Sequence, residues 1–171
     1  MIVLLLIAVV WIGSQFSACS SERGERNAAA RWATGPVTEE TVREALGDKK
    51  GRTIKVSGGL VAINDYSESI ISEDHEVQYA GIEAREVWSV LFSNPKVTRV
   101  TYSRSADLVD TYGHGTEKRL LLLALNRGIA EKIDWDGLES RGWSASYDVA
   151  NYTIDPVLAL GLTSGVRTSI P

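Results

Sequence analysis

The sequence contains 171 residues, of which 44% are hydrophobic and 23% are charged. This balance is typical of a folded globular protein and excludes an intrinsically disordered chain. The 22 acidic and 18 basic residues give a net charge of −4. Such a charge provides no general attraction to nucleic acid, so we expect no nucleic-acid partner.

An uninterrupted apolar segment, Ile2 to Ile12, lies at the start of the chain. Its length falls within the roughly 7 to 15 residues of a signal-peptide core and below the roughly 20 of a membrane-spanning helix. Small residues follow up to Cys19, the only cysteine. A lone cysteine cannot form an internal disulfide, and its position favours an acceptor for lipid. We therefore predict that residues 1–18 are a signal peptide or anchor, with cleavage between Ala18 and Cys19.

The segment Phe16-Ser17-Ala18-Cys19 resembles the lipobox of bacterial lipoproteins. The resemblance implies that Cys19 receives acyl chains such as palmitate, becomes the mature N-terminus and holds the protein on the extracytoplasmic face of the bacterial envelope. Membrane lipid is then a partner through Cys19. Two chains anchor stably, since each buried methylene contributes about 0.8 kcal/mol.

The distribution of basic residues leaves the orientation open. Arg23, Arg26 and Arg31 all follow the apolar segment, and no Lys or Arg precedes it. Basic residues favour the cytoplasmic side. An uncleaved anchor would therefore make the chain a cytoplasm-facing subunit of a larger complex. A misassigned start or a buried helix are further alternatives.

The remaining sequence divides into a tether, one domain and a tail. Residues 19–37 contain Gly35-Pro36 and lack apolar periodicity, which predicts a tether. Residues 38–162 have the length and patterning of a single domain. Residues 163–171 show no further pattern and are predicted to be a loose tail.

The domain is predicted to begin with a helix between Thr38, a typical N-cap, and Gly47, a typical terminator. Strand character follows from Ile54 to Ile63, where Gly58-Gly59 marks a bulge or bend. Asp65 to Gly81 is polar and without periodicity. It is predicted to be the longest loop.

Glu83 to Ser93 has the clearest helical pattern. Its apolar stripe consists of Ala84, Val87, Trp88 and Leu91. This spacing places one face in the core, with Trp88 at its centre. Asn94-Pro95 should end the helix, because the residue before proline disfavours helical geometry.

A β-hairpin is predicted next. Val97 to Val109 alternates as a strand whose change of phase indicates a bulge. A turn at 111–116 leads to the apolar strand Leu120 to Leu125. Asn126 is a candidate N-cap for a helix that ends at Ile133.

The rest of the domain is less regular. A turn at 134–137 precedes Leu138 to Trp143, residues 147–152 are ambiguous, and residues 157–162 suit either a strand or a helix. The order of all these elements predicts an α+β fold. We expect a small antiparallel or mixed sheet packed against helices in two layers.

Charge is unevenly distributed along the domain. Residues 43–55 carry five basic against two acidic side chains, and residues 65–86 carry seven acidic against one basic. The two stretches are candidates to face one another. Alternatively, the basic stretch contacts lipid headgroups and the acidic stretch binds Ca²⁺ or a cationic partner. The acidic residues lack the spacing of a Ca²⁺ loop, which favours ordinary solvated surface.

Motifs for catalysis are largely missing from the sequence. It contains no phosphate-binding glycine loop, no His-Glu-x-x-His and no Gly-x-Ser-x-Gly. Ser93-Asn94-Pro95-Lys96 matches the Ser-x-x-Lys string, but Pro95 prevents the helical turn that this chemistry needs. We therefore expect no enzyme activity, no cofactor and no metal.

One hairpin constellation remains as a candidate metal or acid/base site: Asp107, Asp110 and His114. Carboxylate and imidazole both bind divalent cations and exchange protons. The alternative is that all three are ordinary residues of a tight turn, where Gly113 and Gly115 supply unusual backbone angles.

Four aromatic residues cluster near the C-terminus: Trp135, Trp143, Tyr147 and Tyr152. Exposed rings would form an interface for a protein or a sugar. Core packing is the ordinary expectation for such rings.

Part of the domain resembles uncharacterised small lipoproteins of bacteria, mobile elements and phages. The similar segments are Leu91 to Val97, Leu108 to Gly113, Arg127 and Lys132 to Trp135, within residues 82–136. This family carries no assigned activity or catalytic residues, so the resemblance transfers no role to the chain.

These observations predict a membrane-tethered extracytoplasmic lipoprotein that acts as a non-catalytic binding module, with a protein as its partner. Exclusion of superinfecting phage from a cell that carries a phage or prophage is one hypothesis for its role. The alternatives are the cytoplasm-facing subunit and a metal-dependent or hydrolytic site around Asp110 and His114.

Overall fold

The computed structural model describes residues 30–109 and 114–171. The strands are β1 (Arg52–Ser57), β2 (Leu60–Ser67), β3 (Arg99–Val109), β4 (Gly115–Asn126) and β5 (Asn151–Ile154). The helices are α1 (Glu39–Leu46), α2 (Glu73–Leu91), α3 (Arg127–Ala130), α4 (Trp135–Ser140), α5 (Ala145–Val149), α6 (Pro156–Gly161) and α7 (Ser164–Thr168). Residues 30–34 are also helical. Among the described residues, no helix combines the length and apolarity that crossing a membrane requires.

The strands form one mixed sheet in the order β1-β2-β3-β4-β5. β2 and β3 are parallel, and every other neighbouring pair is antiparallel. Helix α2 provides the crossover that two parallel neighbours need, and it packs against β3 and β4. The predicted α+β class, with a mixed sheet packed against helices, is confirmed.

Gly58-Gly59 does not mark a bulge within one strand, as predicted, but separates two strands. These residues form the two-residue turn of a hairpin between β1 and β2, in which Ser57 pairs with Leu60. Both glycines have positive φ, 55° and 84°. A turn with two positive φ angles matches the twist of the flanking strands, which is why glycine is favoured there.

The predicted loop from Asp65 to Gly81 is also wrong. β2 continues to Ser67, and α2 begins at Glu73, after Ser72 accepts a hydrogen bond from the His75 backbone amide. The first turns of α2 are polar on the outside and bury Val77, Ala80 and Gly81 on the inside. Acidic residues suit this first turn because of the helix dipole.

The long hairpin agrees with its prediction. Its register shifts between Arg104 and Ser105, as the change of phase indicated. Leu121, Leu123 and Leu125 of β4 are buried. Part of the connecting turn, residues 110–113, lies outside the described residues.

The two faces of the sheet differ in character. One face buries Ile63, Tyr102 and Leu123 in the core. The other carries mainly small or polar side chains, including exposed Lys55 and Ala62. We call this second side the open face.

The C-terminal residues are packed, so the predicted loose tail at 163–171 is wrong. α7 lies within it, and Val166 is buried. The Asp74 carboxylate accepts hydrogen bonds from the Thr163 backbone amide (2.9 Å) and hydroxyl (2.7 Å). These contacts fix the tail to the start of α2. The ambiguous segments resolve into α5, β5 and α6.

The last part of the predicted tether is packed as well. Trp32 is buried and donates a hydrogen bond from Nε1 to the Val90 carbonyl oxygen at 2.9 Å. Asn94 donates to the Trp32 carbonyl oxygen at 2.6 Å. Residues 30–37 therefore lie on the domain, against the end of α2.

Helix α2 separates two ends of the domain. With 19 residues at 1.5 Å each it is about 28 Å long. Trp32 contacts its last turn and Thr163 its first turn. We call these the Trp32 end and the Leu160 end, after exposed α6 residue Leu160, which lies near Thr163.

Candidate functional site

Four charged side chains meet between β1, β2 and α2: Lys49, Arg52, Asp65 and Glu83. Arg52 binds both oxygens of Asp65, with Nε–Oδ1 at 2.7 Å and Nη2–Oδ2 at 2.8 Å. Lys49 Nζ lies 3.0 Å from Asp65 Oδ2 and 2.7 Å from Glu83 Oε2. Arg52 Nη2 also reaches Glu83 at 3.0 Å. Two positive and two negative charges thus compensate one another. We call these four residues the ionic cluster.

Two members of the cluster are deeply buried, and Lys49 and Glu83 are partly exposed. The Arg52 side chain is 5% exposed and that of Asp65 is 3% exposed. The buried Tyr102 hydroxyl donates to Asp65 Oδ2 at 3.0 Å. Burial alone would raise the pKa of Asp65, but hydrogen bonds from Arg52 and Lys49 outweigh it and hold that pKa below its usual range. Burial would likewise raise the pKa of Glu83, but its hydrogen bonds with Lys49 and Tyr79 outweigh burial and lower that pKa.

A second ion pair lies beside the cluster. Arg104 Nε donates to Glu76 Oε2 at 2.7 Å, and both side chains are buried. The guanidinium carbon of Arg104 is 4.7 Å from the ring centroid of Tyr79. The Tyr79 hydroxyl accepts a hydrogen bond from Lys49 at 2.8 Å, so Tyr79 joins the pair to the ionic cluster.

The chemistry of this network is structural. Basic side chains hold the carboxylates of Asp65 and Glu83 and lower their pKa values, so neither acid is tuned for proton transfer near neutral pH. The basic and acidic stretches of the sequence do face one another here. The expectation of solvated surface is wrong for the ionic cluster, although it suits Lys50 and Glu68, which pair at 3.0 Å on the exposed surface.

The predicted hairpin site is only partly visible. Asp107 is exposed and accepts a hydrogen bond from the Tyr66 hydroxyl at 2.8 Å. His114 is exposed just before β4, and Asp110 lies outside the described residues. Across residues 30–109 and 114–171, no group of three or more His, Cys, Asp or Glu side chains could hold a metal ion. The Asp110 and His114 site stays a prediction, as do Ala18 and Cys19, which also fall outside the described residues.

The four C-terminal aromatics divide into core and partly exposed residues. Tyr147 is buried, and its hydroxyl donates to the Val77 carbonyl oxygen at 2.7 Å. Its ring meets those of Trp143 and Tyr152 edge-on, at 6.0 and 5.2 Å between centroids. Tyr147 is therefore unavailable to a partner. Trp135, Trp143 and Tyr152 are partly buried.

An apolar groove of about 550 Å³ opens at the Leu160 end. Its lining consists of Tyr152, Ile154, Pro156, Ala159, Leu160, Leu162, Arg167, Ile170 and Pro171. Leu160 is 81% exposed, and neighbouring Val157 is 58% exposed. Arg167 binds the carbonyl oxygens of Ala159, Leu160 and Leu162. This cation holds the last turn of α6. We call this the Leu160 groove.

A second groove, of about 580 Å³, lies at the β1–β2 end of the sheet. Its lining consists of Glu39, Lys55, Val56, Ser57, Leu60, Val61, Ala62, Arg99 and Thr101. Leu60 is 51% exposed. Within the described residues, Lys55 and Arg99 have no hydrogen-bonding or ion-pair partner. We call this the Lys55 groove.

The sequence predicted neither groove, although the basic stretch at 43–55, which contains Lys55, was an alternative candidate for contact with lipid headgroups. The lining of the Leu160 groove comes from β5, α6 and the C-terminal residues, and no periodicity connects them. Within this lining, Tyr152 is the residue that the sequence offers as a candidate. Leucine is usually buried, so the sequence alone predicts burial of Leu160. Only the folded structure shows that this side chain is exposed.

Comparison with protein-family models, with curated proteins and with solved structures gave no match.

Proposed function

We propose that this chain is an extracytoplasmic lipoprotein, held on the membrane through Cys19, whose domain binds a protein partner in the Leu160 groove without catalysing a reaction. The anchor part of this proposal comes from the sequence pattern up to Cys19. The binding part comes from the domain. The two parts have separate tests.

The observation that carries the binding part is the exposure of Leu160 beside an apolar groove. A Leu side chain that moves from water into an interface contributes about 1.5–3 kcal/mol. Exposed apolar side chains that surround a groove are characteristic of interaction sites. Val157 and Leu160 lie on one short helix, so a single partner segment can cover both.

The chemistry of the groove favours an apolar segment of a protein. Ile154, Leu162 and Ile170 provide aliphatic surface, and Tyr152 adds an aromatic ring. The Arg167 side chain is engaged by backbone carbonyl groups. A partner that presents aliphatic or aromatic side chains would pack there as an interface hot spot.

The location of the Leu160 groove supports binding of a partner on the side of the domain away from the membrane. The described chain begins at residue 30, which lies at the Trp32 end, and α2 spans about 28 Å between that end and the groove. An anchor attached before residue 30 would hold the Trp32 end close to the membrane. The Leu160 groove would then be accessible from the side away from the lipid.

The state of the ionisable groups supports a role without catalysis. The ionic cluster and the Arg104–Glu76 pair are each balanced in charge. Their carboxylates are engaged in fastening α2 to the sheet. They therefore serve the stability of the domain.

A photoreactive amino acid at position 160 tests the binding part directly. In intact cells we expect a protein crosslink at position 160 and none at Ile82, an apolar residue of α2 that is 38% exposed. Loss of the crosslink in a Val157→Asp background, which changes a side chain that is 58% exposed, would locate the partner at the groove. Equal crosslinking from both positions, or none from position 160, would contradict the proposal.

Exclusion of superinfecting phage is the biological role we propose for this binding. The partner would be a surface protein that an infecting phage uses. Cells that express the chain should then give fewer plaques than cells without it, and Leu160→Asp should restore the count. Equal plaque counts would remove this role and leave the binding proposal to the crosslinking test.

A further inference from the structure

We infer that the Lys55 groove rests on the anionic headgroups of the membrane that anchors the chain, so that the Trp32 end docks on the lipid surface. This inference rests on the proposed anchor at Cys19. It adds a second contact with the membrane, made by the folded domain. It also fixes the Leu160 groove on the side away from the lipid.

The first argument is position. Lys96 Nζ donates hydrogen bonds to the carbonyl oxygens of Thr34 and Gly35, at 3.2 and 3.0 Å. Two residues further, the Thr98 backbone amide donates to the Gly59 carbonyl oxygen at 2.8 Å. These bonds connect the start of the described chain with the β1–β2 turn. The groove and the attachment of the N-terminal segment therefore share one end of the domain.

The second argument is charge. Lys55 and Arg99 are exposed on two different strands of the open face, and Leu60 and Ala62 of β2 lie between them. Neither cation has a partner among the described residues. Glu39 is the acidic residue in the groove lining, so the cations exceed the acids. Two cations across a shallow groove suit the phosphate groups of anionic lipids.

The third argument is the exposed apolar surface at the same end. Leu60 is 51% exposed next to Arg99, its neighbour in the parallel register. Ile129 is 42% exposed on α3, which begins directly after β4 ends beside Arg99. Apolar side chains bordered by cations are the combination that binds at a membrane interface.

The length of the preceding segment makes this contact accessible. Ten residues lie between Cys19 and residue 30. Even a fully extended chain of this length reaches only about 40 Å. The tether thus keeps the groove at a high effective concentration near the lipid, where weak contacts suffice.

Lysine footprinting of the full chain tests the inference. The mature protein is reconstituted through the acyl chains on Cys19 into vesicles of phosphatidylcholine, or of an equal mixture with phosphatidylglycerol, and is acetylated briefly. Mass spectrometry then gives the acetylation rate of each lysine. We expect slower acetylation of Lys55 in the anionic vesicles. Lys50, whose side chain is 90% exposed, should react equally in both.

Two matched variants locate the contact. Arg99→Gln removes the second cation of the groove. It should lower the ratio of membrane-docked to undocked domain about fivefold. Acetylation of Lys55 in the anionic vesicles should therefore become faster. Arg119→Gln removes an exposed cation of the same sheet. It lies on β4 seven residues before Asn126, about 24 Å from this end. This variant should behave as the unmodified protein does.

The outcomes separate the docking from the anchor. Flotation with the phosphatidylcholine vesicles, which lack anionic headgroups, reports the anchor alone. If the protein floats but Lys55 reacts equally in both lipids, or is protected equally by both, the docking inference is wrong and the anchor stands. If the protein fails to float, the anchor is wrong, and the docking inference falls with it.

Discussion

Arg52 and Asp65 form a bidentate ion pair, and they lie opposite each other in the antiparallel pairing of β1 and β2. Their side chains point toward α2, which supplies Glu83 to the same cluster. Removing one member of a buried pair is costly, because the other charge stays in a poorly solvated site. Asp65 therefore connects the sheet to the helix layer.

The first prediction concerns that connection. Asp65→Asn should lower the free energy of unfolding by about 3 kcal/mol, since it leaves Arg52 and Lys49 with one carboxylate. Chemical denaturation measures the change. Glu68→Gln, which removes an exposed ion pair, should cost less than about 1 kcal/mol. Similar losses for the two variants would show that the buried cluster does not stabilise the fold.

The second prediction is the pH dependence of stability. The pKa values of Asp65 and Glu83 are lower in the folded state than their ordinary values of about 3.9 and 4.3. Below about pH 5, the unfolded chain therefore binds protons before the folded chain does. Stability should be fully present above that pH and fall as the pH drops further.

Asp65→Asn provides the comparison for this pH dependence. Its unfolding free energy should change less steeply between about pH 5 and pH 2 than that of the unmodified protein. Denaturant titrations at several pH values measure both slopes. Identical slopes would mean that Asp65 has no lowered pKa in the folded protein.

The third prediction concerns close packing at Gly81. A Cβ there would overlap with the carbonyl oxygen of Trp143 and approach the Tyr147 ring. Gly81→Ala should therefore destabilise the domain by about 1–3 kcal/mol, although alanine favours helix. At Gly128 of α3 an added Cβ meets no atom within 4 Å. Gly128→Ala should be neutral or stabilising, and the reverse order would contradict the packing of α5 on α2.

The fourth prediction concerns the boundary of the domain. Trp32→Ala should lower the unfolding free energy by about 3–5 kcal/mol, because it removes a buried ring together with a hydrogen bond. Trp32→Phe retains most of the burial and should cost about 1 kcal/mol. Thermal or denaturant unfolding distinguishes the two. A neutral Trp32→Ala would mean that residues before Thr38 are a tether after all.

Local signals made part of this fold predictable. Thr38 and Gly47 define α1 as expected, and the bulge at Arg104 follows from a change in alternation. The first half of α2 was missed because Glu76, a buried acid, looks like loop surface until Arg104 is known to face it. That partner lies 28 residues away, and no local pattern reveals such pairs.

The candidate surfaces were less predictable for the same reason. Charge alone indicated that the two stretches of opposite sign could meet, but not that Arg52 and Asp65 would be buried. Leu160 and Leu60 are ordinary apolar residues in the sequence. Their exposure beside grooves results from the packing of the helices on the sheet. The periodicity of apolar residues in the sequence does not predict that packing.

The most direct test of the account is the mass of the mature N-terminus. Protein extracted from the membranes of its host should begin at Cys19 and carry acyl chains on that cysteine. Mass spectrometry of the N-terminal peptide reads both features at once. A chain that still begins at Met1 with an unmodified thiol would contradict the account.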